Sequence, residues 1–129
     1  MSPRSTEQLY ALGHSLYERG RAADAADVFH LLTIHRPDEP KFWFARGAAE
    51  QQQSRLGEAI GAYARAADID AVDPWPLVHL GECAILDGEG DLARTALGAA
   101  MGRAIEAGSD DAMKKARGFL SYLEVRHGR

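Results

Sequence analysis

The stretch PKFWFARGAAEQQQSRLGEAIGAYARAADIDAVD, residues 40–73, decides the fold, because its pattern recurs on both sides of it at a spacing of 34 residues. Gly47 has counterparts in Gly13 and Gly81, Ala59 in Ala25 and Ala93, Tyr63 in Phe29 and Leu97, and Ala66 in Leu32 and Ala100, without gaps. Within the stretch, apolar residues recur at helical spacing in two runs, one reaching Gln53 and one starting at Leu56. Two antiparallel helices approach closely only where one presents Gly or Ala, and a large neighbouring side chain then fills the space beside it. One such pair cannot bury its apolar face alone, whereas three stacked pairs can.

A period of this length, with a small residue in the first helix and a small-then-large pair in the second, resembles the tetratricopeptide repeat. The reading is a single domain, 1–129, with repeats over 6–39, 40–73 and 74–107 and a closing helix over 109–125. The expected fold is an all-α tetratricopeptide-repeat solenoid of three helix pairs plus a C-terminal capping helix. Ser5 or Thr6 caps the first helix and Gly20 ends it; the second covers 22–35, closed by Pro37. Pro40 opens the third helix. Where the first unit has Pro37 the second has Ala71, so that turn falls to Asp70, Asp73 and Pro74. Helices over 56–69, 74–87 and 91–104 complete the pairs, and Met113, Ala116, Leu120 and Leu123 form the buried stripe of the last helix, with Lys114, Lys115 and Arg117 facing water. No run alternates with period two, so no strand is expected.

A chain of 129 residues holds one core of this kind and has no room for an appended catalytic domain. The net charge of -4 argues against nucleic acid, which requires a clustered basic surface. The lone Cys83 excludes an internal disulfide, and no Cys/His spacing suits zinc. There is no apolar run of spanning length and no leader-like start, which reads as a cytoplasmic protein without stable membrane insertion. No nucleophile, acid/base pair or phosphate loop emerges, so no catalytic residue, cofactor or metal is expected. Cys83 reads as a buried, inert thiol.

In stacked helix pairs the first helix of each unit lines the concave wall. Register then selects Glu7, Tyr10, His14 and Tyr17 in the first unit, Lys41, Phe44, Ala48 and Gln51 in the second, and Trp75, Val78, Glu82 and Ile85 in the third. An aromatic lining with a few polar edges suits an extended segment that inserts hydrophobic side chains. Repeat proteins that grip terminal carboxylates need Lys, Arg and Asn on this wall. Tyr10, His14, Phe44, Ala48, Val78 and Glu82 occupy the corresponding slots, so the ligand should be apolar.

Four strings carry a narrower resemblance: Glu7 to Leu12 (EQLYAL), Val28 to Ile34 (VFHLLTI), Gly57 to Tyr63 (GEAIGAY), and His79 to Cys83 (HLGEC) preceded by Asp73-Pro74. Together they resemble the class II chaperones of type III secretion, which hold pore-forming translocators in the bacterial cytoplasm. The resemblance implies a groove for an extended hydrophobic segment of the translocator, with Tyr10 and Tyr17 as aromatic wall positions and Phe44 and Val78 as apolar ones. Secreted translocators would be the partners. The family's homodimers draw on a helical segment before the first repeat. Only Met1 to Ser5 stand there in this sequence, which disfavours a dimer by that route and leaves another open. Ala22 and His14 replace rings common in the family, so specificity should differ. Two other readings remain: a general tetratricopeptide scaffold, and a chaperone for a helical needle subunit.

Overall fold

The computed structural model describes residues 1–127. Among them there are seven α-helices and no strand: α1 (Pro3–Glu18), α2 (Ala22–His35), α3 (Pro40–Gln52), α4 (Leu56–Ile69), α5 (Trp75–Leu86), α6 (Gly90–Ala107) and α7 (Asp110–His127). They gather into two compact units. The first, Met1–Ile69, packs α1 on α2, α2 on α3 and α3 on α4; the second, from Asp70 onward, packs α5 on α6 and α7 on both.

Each pair is closed by the same interlock. Gly13 lies against the ring of Phe29, Gly47 against the ring of Tyr63, and Gly81 against Leu97. A Cβ built on Gly47 would fall 2.8 Å from Tyr63 Cδ1, and one on Gly81 would fall 2.5 Å from Leu97 Cγ, both far inside van der Waals contact. The glycines and their large partners are all buried, as are Ala25, Ala59 and Ala93 one turn before the latter. In the first unit the core continues through Leu16, Leu32, Phe42, Ala45 and Ala49.

The turns inside the pairs repeat as well. Gly20, Ser54 and Gly88 have φ of 77°, 59° and 77°, and the next residue's N–H closes each turn on a carbonyl five residues back: Arg21 to Leu16 (2.9 Å), Arg55 to Glu50 (2.9 Å) and Glu89 to Ala84 (2.8 Å). Gly20 and Gly88 adopt this left-handed conformation freely, whereas Ser54 carries a Cβ there and is strained. The turn without a closing proline is built as its aspartates suggest. Asp70 Oδ1 accepts from the N–H of Val72 (3.0 Å) and Asp73 (3.3 Å), and Asp73 Oδ1 accepts from the N–H of Trp75 (3.0 Å). Arg103 adds a clamp, its Nη1 donating to the carbonyls of Asp70 (3.0 Å) and Asp73 (3.2 Å).

Several helix limits differ from expectation. α1 begins at Pro3, because Ser2 supplies the cap: its Oγ accepts from the Ser5 N–H at 3.1 Å, and proline in the first helical turn sacrifices no hydrogen bond. α5 begins at Trp75 with Pro74 as its cap residue. α6 continues to Ala107, where Gly108 at φ 67° ends it. In α7, Ala116 and Leu123 are buried and Met113 and Leu120 half-buried, joined by Ala112. Among the described residues no helix is long and apolar enough to cross a membrane.

Three substitutions test this account by urea denaturation. Gly47→Ala should destabilise the protein by about 1–3 kcal/mol through overpacking against Tyr63, while Gly61→Ala, whose Cβ meets nothing within 4 Å, should stabilise it by about 0.5–1 kcal/mol. Ser54→Gly should gain about 1 kcal/mol by relieving the left-handed strain.

Candidate functional site

In the first unit, α1 and α3 meet along a run of aromatic side chains. Tyr10 is half-buried on the core, its ring 5.3 Å from that of Phe42 and 6.0 Å from that of Phe29. His14, one turn on, stands edge-on to Tyr10 at 4.5 Å and contacts Phe29 at 5.7 Å, yet is itself exposed. Lys41 Nζ lies over the Tyr10 ring at 5.2 Å, a cation–π contact. Further along, the Tyr17 hydroxyl donates to Gln52 Oε1 at 3.4 Å, tying the end of α1 to the end of α3. Phe44 packs edge-to-face on Tyr63 at 5.4 Å, and the Tyr63 hydroxyl donates to Gln51 Oε1 at 2.9 Å.

These contacts mean that the rings are braced from behind and half-open in front. Tyr10, Tyr17, Phe44, Ala48 and Gln51 all keep part of their surface accessible. A polar cavity of about 380 Å³ adjoins Tyr10, bounded by Thr6, Glu7, Arg36, Glu39 and Lys41. Burial, and then the negative charge of Glu39, raise the Tyr10 phenol above its ordinary value, so it remains a neutral donor at physiological pH. The wall can therefore accept apolar side chains and offer hydroxyl and amide groups to a peptide backbone.

The second unit presents Trp75 and Glu82 half-buried, with the Trp75 ring 6.0 Å from that of His79. Val78 corrects the register argument. It is fully buried and offers no surface to a ligand, because α5 packs against both α6 and α7 and so has few free faces; Pro76, Leu80, Cys83 and Ala84 are buried with it. Cys83 is buried as expected. Its thiol is pushed up to about 12 by burial and by the charges of Glu82 and Asp87, which leaves it protonated and unreactive. His79 Nδ1 lies 3.6 Å from Glu82 Oε1. Burial lowers the imidazole from its ordinary 6.5, with Lys115 acting in the same direction and Glu82 and Asp73 opposing.

Sequence reasoning missed Phe42, the fully buried ring that braces Tyr10. The signal was in the run Phe42-Trp43-Phe44, since three consecutive helical residues cannot share one face. Trp43 instead closes its own turn, its Nε1 donating to the Pro37 carbonyl at 2.9 Å while Arg46 and Arg65 lie over its ring at 5.5 and 5.2 Å.

With the interlocked pairs and the aromatic wall in place, the comparison with known families is direct. The tetratricopeptide repeat model matches residues 10–74, about half of the sequence, and the chain belongs to that family. Among curated proteins it is similar to low calcium response locus protein H of Yersinia pestis, 32% identical over 89 residues, which is 69% of this chain and 53% of that protein. The chain thus spans about half the length of the curated relatives it matches. Among solved structures it is similar to PcrH of Pseudomonas aeruginosa in complex with the chaperone binding region of PopD, with a TM-score of 0.92 and 26% identity over 98% of this chain and 96% of that one. It is also similar to the Yersinia enterocolitica type III secretion chaperone SycD in complex with a peptide of the translocator YopD, with a TM-score of 0.89 and 26% identity over 97% and 96%. The fold is the all-α tetratricopeptide-repeat solenoid expected from the 34-residue period.

The depressed His79 gives a stability test. Between the lowered folded value and 6.5 the unfolded chain binds a proton that the folded chain does not, so stability should fall as pH drops through this window and level off below it. Urea midpoints measured from pH 7.5 to 5 should show this decline, and His79→Gln should flatten it.

Proposed function

We propose that this protein is a type III secretion chaperone that holds an extended hydrophobic segment of translocator proteins and keeps them soluble and export-competent in the bacterial cytoplasm. The observation that carries this reading is the braced aromatic wall of Tyr10, His14, Tyr17 and Phe44, on a chain similar over nearly its whole length to chaperones solved with translocator segments. Ala48 and Gln51 extend the wall within the first unit; Trp75 and Glu82 stand half-buried on α5 of the second. Val78 is left out of the lining because it is buried.

The physics of holding suits this surface. A translocator must enter a membrane, so in water it exposes long apolar segments and associates with itself. Covering one segment lowers the concentration of the exposed form by mass action, without nucleotide or catalysis. The function is therefore non-enzymatic: binding and release are the whole of it. Ordering a flexible peptide offsets part of the contact energy, which keeps affinity moderate and lets the secretion apparatus remove the client.

Co-expression with a pore-forming translocator is the test. The unaltered protein should move the translocator into the soluble fraction and co-purify with it. Phe44→Glu and Tyr10→Ala should each weaken retention by about 2–4 kcal/mol, the loss typical of a central anchor, while helical circular dichroism and a cooperative melt are kept. A soluble fraction that does not change on co-expression would favour a general scaffold instead.

A further inference from the structure

We propose that the cleft between α5 and α7 is a second anchoring subsite on the same client-binding protein, selective for a bulky apolar side chain flanked by acidic residues. The inference rests on the holding function above and adds to it a position and a charge preference. The cleft lies wholly within the second unit, opens to solvent and measures about 550 Å³. Its walls are Ile85 and Leu86 from α5 and Phe119 and Tyr122 from α7, and its rim carries Lys114 and Lys115. Leu86 and Tyr122 are 63% and 49% exposed, so the cleft presents apolar surface to solvent. The volume accommodates an aromatic ring with room for its backbone.

The charges at the mouth say what should flank that ring. Glu82 also lines the cleft from the α5 side, 3.6 Å from His79 Nδ1, and its single negative charge is outnumbered by the two lysines of the rim. Lys114 and Lys115 are exposed, and among the described residues no ion pair joins either of them to a carboxylate. They stand with Arg117 as three cations within four residues of a chain whose net charge is -4. A client segment with acidic residues beside its anchor would meet two ammonium groups against one carboxylate, whereas a basic one would meet net repulsion. A groove walled by two helices favours insertion of one side chain between them, with Leu86 and Tyr122 at its open mouth. Gly118 provides the means to close the cleft: it borders the space, and a Cβ there meets nothing within 4 Å, so a larger residue can fill the site without displacing its neighbours.

The test is a nitrogen-15 chemical-shift titration of the full chain with three blocked tripeptides, acetyl-Glu-Phe-Glu-amide, acetyl-Lys-Phe-Lys-amide and acetyl-Glu-Ala-Glu-amide. The first should give saturable shifts at the amides of Ile85, Gly118 and Tyr122. The other two should bind more weakly by about fivefold or more, the scale of two exposed charge contacts or of one lost ring. Gly118→Leu should abolish the shifts while retaining the helical spectrum, and Lys114→Glu with Lys115→Glu should reverse the charge preference. Absent shifts, or equal shifts from all three peptides, overturn the proposal. So does a finding that Gly118→Leu instead eliminates binding to phosphatidylglycerol vesicles or a concentration-dependent dimer. The two readings fail separately: loss of tripeptide binding with translocator capture still sensitive to Phe44→Glu removes only this subsite. Intact tripeptide binding without capture removes the chaperone reading.

Discussion

The structure depends on one steric constraint, the seating of a large side chain on a glycine at Gly13 and Phe29, Gly47 and Tyr63, and Gly81 and Leu97. Because the glycine has no Cβ, the partner's ring or branched end occupies the place where one would be, and the helices close to a separation no other residue permits. Everything built on the pairs inherits that spacing. The turns at 20, 54 and 88 recur in the same slot because each must reverse the chain over the same gap. The constraint also explains why the third slot can hold Leu97 in place of a ring: any side chain that fills the volume beside Gly81 will serve.

The same rings link the core to the surface. Tyr63 is buried against Gly47, yet its hydroxyl fixes Gln51 and its ring supports Phe44, two positions on the proposed wall. Phe29 does likewise for Tyr10 and His14. The wall is therefore not a set of free side chains but the outer layer of the interlock. A binding surface whose rotamers are already fixed loses less entropy when a ligand arrives, which is how a shallow surface of modest area can still hold a flexible segment.

Most of this was legible because the repeat is self-checking. α2 and α4 begin and end where the pattern places them, since Ala22, His35, Leu56 and Ile69 sit at points that two or three units define together. Features outside the repeat were harder. Ser2-Pro3 is a helix start that no other unit repeats, and the 34-residue register carries no information about it. Arg103 clamps the Asp70–Asp73 turn across 30 and 33 residues of sequence, a contact that no local pattern encodes. Val78 was misplaced for a related reason. Register assigns a residue to a helix face, but whether that face is open depends on the neighbouring helices, and α5 is covered on two sides.

The covering of α5 also sets the second unit apart from the first. α7 closes the second unit by burying Ala112, Ala116 and Leu123, and this removes much of the α5 surface that the corresponding helices of the first unit leave half-open. A helix that only capped would show water a polar face. α7 instead leaves Phe119 half-buried and Tyr122 half-exposed beside two lysines, so the surface removed at Val78 is replaced by a cleft of different chemistry. The first unit offers hydroxyls and amides around neutral rings, and the second offers an apolar slot under positive charge. Under the proposed function the two surfaces, unlike in chemistry, would select different client segments, and discrimination of that kind comes from what each surface rejects as much as from what it holds.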